Sequence, residues 1–389
     1  MVAPKLRFKE FSGDWEKTTL GEVVKFSNGR RIPLSESDRQ KRQGTYRYYG
    51  ASGVIDYIDD YIFDGQYILI GEDGANILTR SSTLAFVVEG KFWVNNHAHI
   101  FQSKNGDNTF LATYLESLNY EKYNSGTAQP KLNLENLKKV IVANPLKEEQ
   151  TKIASFLSAV DEKINQLTQK HELLSYYKQG MMQKLFSQQI RFKADDGSEF
   201  GEWEETTLGE IGTFKSGQGF PEQFQGGKDG IPFFKVSDMN ILGNEKIMKV
   251  ANNYVNSEAI TKMKAKVIDN EAIIFAKVGA AIFLERKRLA KNFLIDNNMM
   301  AYLSNQKTNI MFLKQFLDNI KLSKFVQVGA LPSYNSSDLA IIPISLPCLE
   351  EQTKIANFLS AIDQKLEVVA QQIEQAKTWK KGLLQQMFV

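Results

Sequence analysis

The residues best equipped for chemistry in this chain are His97 and His99, within Asn95-Asn96-His97-Ala98-His99, the lone Cys348, and loop clusters of Arg, Lys, Asn and Gln. Two imidazoles on alternate residues can begin a metal site, but they need further nitrogen, sulfur or carboxylate ligands to complete it. No such set follows in sequence. With 3 His and 1 Cys in the whole chain, neither a metal centre nor an internal disulfide framework is expected. Asn144-Pro145-Leu146-Lys147 lacks the second proline and the aromatic ring with which a base-flipping methyl-transfer loop grips its target. Gly71-Glu72-Asp73-Gly74-Ala75 and Ala276-Lys277-Val278-Gly279-Ala280 are glycine loops after apolar runs. Neither carries the Lys-Ser/Thr ending of a nucleotide-phosphate loop. Cys348 has no base beside it in sequence and reads as structural. Catalytic and metal-ligating roles are therefore assigned to no residue, and the two histidines read as loop packing or polar contacts.

Recognition chemistry is better represented. In the first part of the chain the candidates are Arg30, Arg31, Arg42, Arg47, Arg80, Asn95, Asn96, His97, Gln129 and Lys131. In the later part they are Lys215, Gln218, Lys235, Lys277, Arg286, Arg288, Lys324 and Gln327. Lys and Arg neutralise phosphates, while Arg, Asn and Gln can pair with base edges, so clusters of this kind suit nucleic acid. The overall charge, 48 Lys and Arg against 45 Asp and Glu, is only +3. Attraction to a polyanion would thus come from local clusters, and weak binding by the isolated chain is expected.

The elements that must position these groups are repeated. Residues 148–163, EEQTKIASFLSAVDEK, recur at 350–365 as EEQTKIANFLSAIDQK, identical at thirteen of sixteen positions. The same offset of 202 carries Lys178, Gly180 and Phe186 onto Lys380, Gly382 and Phe388 without a gap. Upstream, Trp15-Glu16-Lys17-Thr18-Thr19-Leu20-Gly21-Glu22 is echoed by Trp203-Glu204-Glu205-Thr206-Thr207-Leu208-Gly209-Glu210, and Leu6-Arg7-Phe8 by Ile190-Arg191-Phe192. Pro130, Asn133 and Leu137 match Pro332, Asn335 and Leu339. Between these anchors the halves diverge. A shared frame with dissimilar interiors suggests one kind of task performed on two different targets.

Each half ends in one long helix. Ile153, Leu157, Val160, Ile164, Leu167, His171 and Leu174 recur at alternating spacings of three and four, as do Ile355, Leu359, Ile362, Leu366, Val369 and Ile373. That is a coiled-coil seam. A helix of about 37 residues is roughly 55 Å long and needs a partner for such a seam. Its twin is the obvious one, packed antiparallel about a pseudo-twofold. Glu148-Glu149 and Glu350-Glu351 suit the positive ends of the helices, which follow Pro145 and Pro347. His171 reads as a half-buried packing residue. Lys178 and Lys380 read as snorkelling side chains or partners of a carboxylate.

The middles read as short mixed strands and turns. Expected strands include 46–50, 67–71, 83–88, 231–236 and 271–276. The resulting fold is α+β, with two mixed α/β globular regions and two long helices forming an antiparallel coiled coil. The expected boundaries are 1–149 for the first globular region, 150–189 for the first helix, 190–349 for the second region and 350–389 for the second helix. At 389 residues more than one domain is the default. No apolar run approaches the roughly 18 residues of a membrane span. The start, Met1-Val2-Ala3-Pro4-Lys5, lacks the apolar stretch of a signal peptide. A cytoplasmic location without membrane contact is expected.

Taken together these segments resemble the specificity subunit of a type I restriction–modification system, over nearly the whole chain. The resemblance rests on the Trp15/Leu20-Gly21 and Trp203/Leu208-Gly209 openings, on Ile70-Gly71-Glu72-Asp73-Gly74-Ala75, on Asn95-Asn96-His97-Ala98, and on the paired EEQxKIAxFLxAxD helices. It implies two target recognition domains that each read half of a split sequence in double-stranded DNA, on helices that act as spacer and docking surface. It also implies two adenine methyltransferase subunits that use S-adenosylmethionine, and ATP-dependent restriction/translocase subunits with Mg2+. No cofactor is implied for this chain, which would be a non-catalytic part of a host-defence assembly. In that family the Glu72 and Asn95–His97 segments belong to the recognition-domain framework, and the second half departs from both.

Two other readings differ in kind. One is a scaffold that holds two protein partners on a rigid spacer, which an apolar rather than a basic concave face would favour. The other is a self-sufficient DNA methyltransferase, disfavoured by the missing loop and methyl-donor site.

Overall fold

A computed structural model describes residues 3–126, 128–305, 307–327, 329 and 331–388. The chain forms two compact units, Met1–Gln169 with Ala370–Val389, and Lys170–Val369. Each long helix therefore gives its first half to one unit and its last half to the other.

In the first unit, the apolar run Tyr67–Gly71 is one of the two inner strands of an antiparallel sheet. The spatial order is Val24–Phe26, Ala98–Ser103, Tyr67–Gly71 and Ala85–Val88. All five residues of Tyr67–Gly71 are buried because both faces of the sheet are covered. Ile68 and Ile70 join a core with Phe101, Phe110, Leu115, Leu137, Ile153 and Leu157. Tyr67 and Leu69 face the other way, onto Phe63, Phe92 and Val94. The latter belong to a second sheet, ordered Gly53–Ile58, Gln43–Gly50, Lys91–Val94 and Phe63–Asp64, in which Gln43–Gly50 and Lys91–Val94 run parallel.

The second unit repeats this plan. Its antiparallel sheet is ordered Gly212–Ser216, Met299–Ser304, Ala272–Ala276 and Lys287–Ala290. Ile273 and Phe275 enter the core that contains Ile355 and Leu359. Ala272 and Ile274 enter a separate one with Phe234 and Phe293. A smaller sheet joins Tyr254–Val255, Ile231–Phe234 and Leu294–Ile295, the last two parallel.

The structure also accounts for the repeated openings. Glu16–Thr19 pairs antiparallel with Ile141–Asn144, and Glu204–Thr207 with Pro343–Leu346, which ties the start of each globular region to the strand before its long helix. Leu20 and Leu208 are fully buried. The Thr19 and Thr207 amides donate to Glu22 and Glu210 (3.1 Å each), closing the turns in the manner of a capping box. Gly209 sits at a close approach, since a Cβ there would lie 3.0 Å from both the Ala340 Cβ and its carbonyl.

The long helices span Lys147–Phe186 and Leu349–Met387. Burial along them follows the seam: Ile153, Leu157, Val160, Leu167, Ile355, Leu359, Ile362 and Val369 are buried, and Ile164, His171, Leu174, Leu366 and Ile373 are half-buried. In the first unit Ile153 and Leu157 share a core with Leu383 and Met387. In the second, Ile355 and Leu359 share one with Met182 and Leu185. The start of one helix thus lies beside the end of the other in each unit, which makes the pair antiparallel. Tyr176 and Tyr177 remain exposed.

Three expected strand bounds are corrected. The strand expected at 231–236 stops at Phe234, because the Lys235 amide donates to Asp238 (2.8 Å) and opens a 3-10 turn at Val236–Asn240. The strand expected at 83–88 begins at Ala85, while the one expected at 46–50 extends back to Gln43. Glu149 and Glu351 lie in the first turns of the long helices as expected, and are in addition buried clamps. Arg7 grips Glu149 through two bonds of 2.7 Å, and Arg191 grips Glu351 at 3.1 and 2.7 Å.

Candidate nucleic-acid interface

Three segments meet at one junction in the first unit. Leaving the sheet at Gly71, the chain donates the Glu72 amide to the His97 carbonyl (2.8 Å), and the Glu72 carbonyl accepts from the Leu132 amide (2.8 Å). Gly74, at φ +107°, donates to the Pro130 carbonyl at 3.0 Å. A positive φ of this size is open to glycine and costly for other residues. The turn at 95–97 is closed by the Asn95 side chain, which accepts from the His97 amide (2.8 Å).

Side chains then converge on the Glu72 carboxylate. Arg31 donates to it at 2.8 Å, the Lys131 ammonium stands 3.7 Å away, and His99 Nδ1 lies 3.6 Å away. Arg31 is further fixed by the Ala98 carbonyl (2.7 Å) and, through Nε, by Asn28 (3.0 Å). His99 is 1% exposed. Asn28 accepts from the Ile100 amide through Oδ1 (2.9 Å), which leaves its Nδ2 to donate to His99 Nδ1 (2.8 Å). His99 must then carry its proton on Nε2, donated to the Leu132 carbonyl at 2.6 Å. Burial pushes its pKa below the ordinary value and keeps the ring neutral. It is a structural pin between two of the three segments.

His97 is exposed and rests its Nδ1 against Asp73 at 2.9 Å. Folding brings Asp73 to one histidine and Glu72 to the other, single carboxylates from distant parts of the chain. Among the described residues, no group of three or more His, Cys, Asp or Glu side chains is arranged to hold a metal ion.

The second unit builds the same junction from different residues. The Lys277 amide donates to the Asn298 carbonyl (2.7 Å), the Lys277 carbonyl accepts from Tyr334 (3.0 Å), and Gly279, at φ +84°, donates to Pro332 (2.8 Å). Asp296 Oδ1 closes the turn by accepting from the Asn298 amide at 3.1 Å. Burial raises the Asp296 pKa. Lys277 stands where Glu72 stands and donates to the Ser216 hydroxyl at 2.9 Å.

The candidates therefore divide. Arg31, Asn95, Asn96, His97 and Lys131 gather at the first junction, with exposed Gln129 preceding Pro130. Lys277, Gln218 and Gln327 gather at the second: Gln218 bridges to Asp296 and the Gln327 amide donates to Ser333. Lys215 is exposed on the neighbouring strand.

The others lie elsewhere, most of them engaged. Arg30 donates to Ile62 (2.6 Å) and covers the Phe63 ring. Arg42 is paired with Asp59 (2.9 Å) and lies over Trp93. Arg47 lies on a strand and donates to the Tyr49 hydroxyl (3.1 Å), and Arg80 is paired with Glu116 (2.9 Å). Lys235 bonds Gln225 (2.8 Å) and Arg286 bonds Asn240 (2.5 Å). Arg288 is half-buried, its pKa lowered by burial and then by Arg286. Lys324 is exposed in a 3-10 turn. Sequence reasoning placed Glu72 in the recognition-domain framework but not among the contact candidates, because attention to cations passes over a carboxylate.

The model of the type I restriction modification DNA specificity domain matches this chain twice, at residues 12–175 and 201–378. The chain belongs to that family. It is 25% identical over 353 residues to a putative type I restriction enzyme specificity subunit of Haemophilus influenzae, covering 88% of this chain and 86% of the relative. It is also 25% identical over 417 residues to the MjaVIII specificity subunit of Methanocaldococcus jannaschii, covering 97% and 94%. The fold is similar to the crystal structure of a type I specificity subunit from M. genitalium, with a TM-score of 0.62 over 100% of this chain and 99% of that one, at 17% identity. In this specificity subunit each match contains one junction, so the junctions are part of the DNA specificity domain. No helix among the described residues is long and apolar enough to cross a membrane.

Proposed function

We propose that this specificity subunit reads a bipartite duplex target, one half-site per recognition domain, and positions methyltransferase and restriction subunits on it. The recognition domains correspond to about 1–149 and 190–349, with the helical segments 150–189 and 350–389 as spacer. One observation carries the reading. A single backbone junction is built twice, with matching hydrogen bonds, from side chains that differ in charge and shape. A reader of two different half-sites needs that combination, since duplex backbone geometry is shared and base edges are not.

The partners of this reading are double-stranded DNA, two adenine methyltransferase subunits and the ATP-dependent restriction/translocase subunits. S-adenosylmethionine, ATP and Mg2+ would be held by those partners, in the cytoplasm. The near-equal helices would set the gap between half-sites.

Sequencing methylated adenines in DNA from cells that express the chain with its methyltransferase partner tests the proposal. A split motif with a fixed unspecified gap is expected. Insertion of four or seven residues after Leu167 should change that gap, and an unchanged gap would remove the spacer role. A methylome without a split motif would overturn the reading.

A further inference from the structure

The junctions differ by more than one substitution. The offset of 188 that relates Trp15 to Trp203 and Phe26 to Phe214 sets Ser216 where Asn28 stands. The strand register agrees, because Phe26 pairs with Phe101 and Phe214 with Tyr302. On this frame the first cluster, Arg31, Glu72, His99 and Lys131, faces a second in which Glu72 has become Lys277, His99 has become Met300 and Lys131 has become Ser333. The segment 216–220, in the place of 28–32, contains no cation.

With His99 neutral, Arg31, Glu72 and Lys131 sum to one positive charge. At the place of Glu72 the second junction has the single cation Lys277, and Asp73 and Asp296 add a carboxylate to the first and second junction. The two places are therefore filled by groups of different charge and reach. In the first, a carboxylate holds a planar guanidinium at 2.8 Å and an ammonium at 3.7 Å. In the second, a half-buried lysine is tethered by one hydroxyl at 2.9 Å and has no ion pair among the described residues.

Contacts to phosphate are the same task in both half-sites and give no reason to rebuild the cluster. Contacts to bases differ between half-sites and do. Resting on the DNA-reading function proposed above, we infer that position 72 and its counterpart 277 set base preference, one in each half-site. Lys277 donates directly to an acceptor edge of a base, guanine O6 or N7 being the commonest partner of such a donor. Glu72 is a positioning residue that holds Arg31 and Lys131 as donors.

The test uses the full chain co-expressed with its methyltransferase partner, with motifs read from methylated adenines. Lys277→Met is expected to relax preference at one base pair of one half-site by about tenfold or more, leaving the other half-site unchanged. Glu72→Gln should relax one position in the opposite half-site, and Glu72→Asp should restore part of it. Lys277→Arg, which keeps a donor, should retain a preference at the affected position. Uniform loss of methylation at all sites in a folded Lys277→Met variant would assign the lysine to phosphate and overturn the inference. An unchanged motif in both Lys277→Met and Glu72→Gln would overturn it as well. A wild-type chain that yields no motif would instead remove the function on which the inference rests.

Discussion

Lys178 of the first long helix reaches Asp363 of the second at 2.7 Å, and their counterparts 202 residues along, Lys380 and Asp161, meet at 2.5 Å. The exchange of roles, lysine and aspartate each appearing once on either helix, is the signature of a pseudo-twofold antiparallel pair. Both contacts lie within one unit each, at the edge of the apolar seam. They specify register at half-exposed sites where solvent screens much of the attraction. Charge reversal at one partner, Lys178→Asp, is expected to cost about 1 kcal/mol. Adding Asp363→Lys should recover most of it. A double-mutant cycle by urea denaturation measures the coupling, and additive effects would deny the pair a role in register.

The clamp at the start of each helix should matter more. Glu351 is fully buried between Arg191 and the Trp203 indole, which donates to it at 3.0 Å. Arg191→Met strands a buried carboxylate, an error that typically costs about 3–5 kcal/mol. Changing both residues to apolar ones should cost much less. Thermal denaturation of the single and double variants decides this, and a single variant as stable as the double would show that Glu351 does not need Arg191.

Stability should depend on pH through His99. Burial holds its folded pKa below the ordinary 6.5, so the unfolded chain binds the proton more readily. The sign follows: stability is full above the unfolded value and declines as pH falls below about 6.5 toward the lower folded value. His99→Met, the residue found at the matching position 300, should flatten that part of the curve. Urea midpoints at pH 7.5 and 5.5 for wild type and variant give the comparison. Equal pH dependence in both would remove His99 as its source.

Much of the frame was legible because its signals are local. The seam from Ile153 to Leu174 shows in a three-four spacing that depends only on helix geometry, and Tyr67–Gly71 is an uninterrupted apolar run because both its faces are covered. The junction was not legible. Arg31 and Glu72 are 41 residues apart, and Asp73 and His97 are 24 apart, so each pair is created by strand order and register. The clamps on Glu149 and Glu351 were hidden for a similar reason: a helix-start glutamate looks alike in sequence whether solvent or an arginine 142 or 160 residues away satisfies it. Similarly, Arg42 and Arg80 look like free cations until their carboxylates, Asp59 and Glu116, arrive from other elements.

That division makes Arg31 and Arg42 a discriminating pair. Arg31 sits among exposed polar groups at the junction, and removing it both deletes a cation and leaves Glu72 with a weaker neighbour in Lys131 at 3.7 Å. Arg31→Met should therefore weaken DNA binding by tenfold or more, at about 1.4 kcal/mol per factor of ten. It should also relax base preference at the position that the Glu72 cluster reads. The charge of Arg42 is committed to Asp59 at 2.9 Å and its plane to Trp93 at 5.0 Å. Arg42→Met should lower the unfolding midpoint while changing affinity and base preference little. Binding titrations, with the chain assembled with its methyltransferase partner, separate the two. If Arg42→Met lost affinity and Arg31→Met did not, the DNA-facing surface would lie away from the junction.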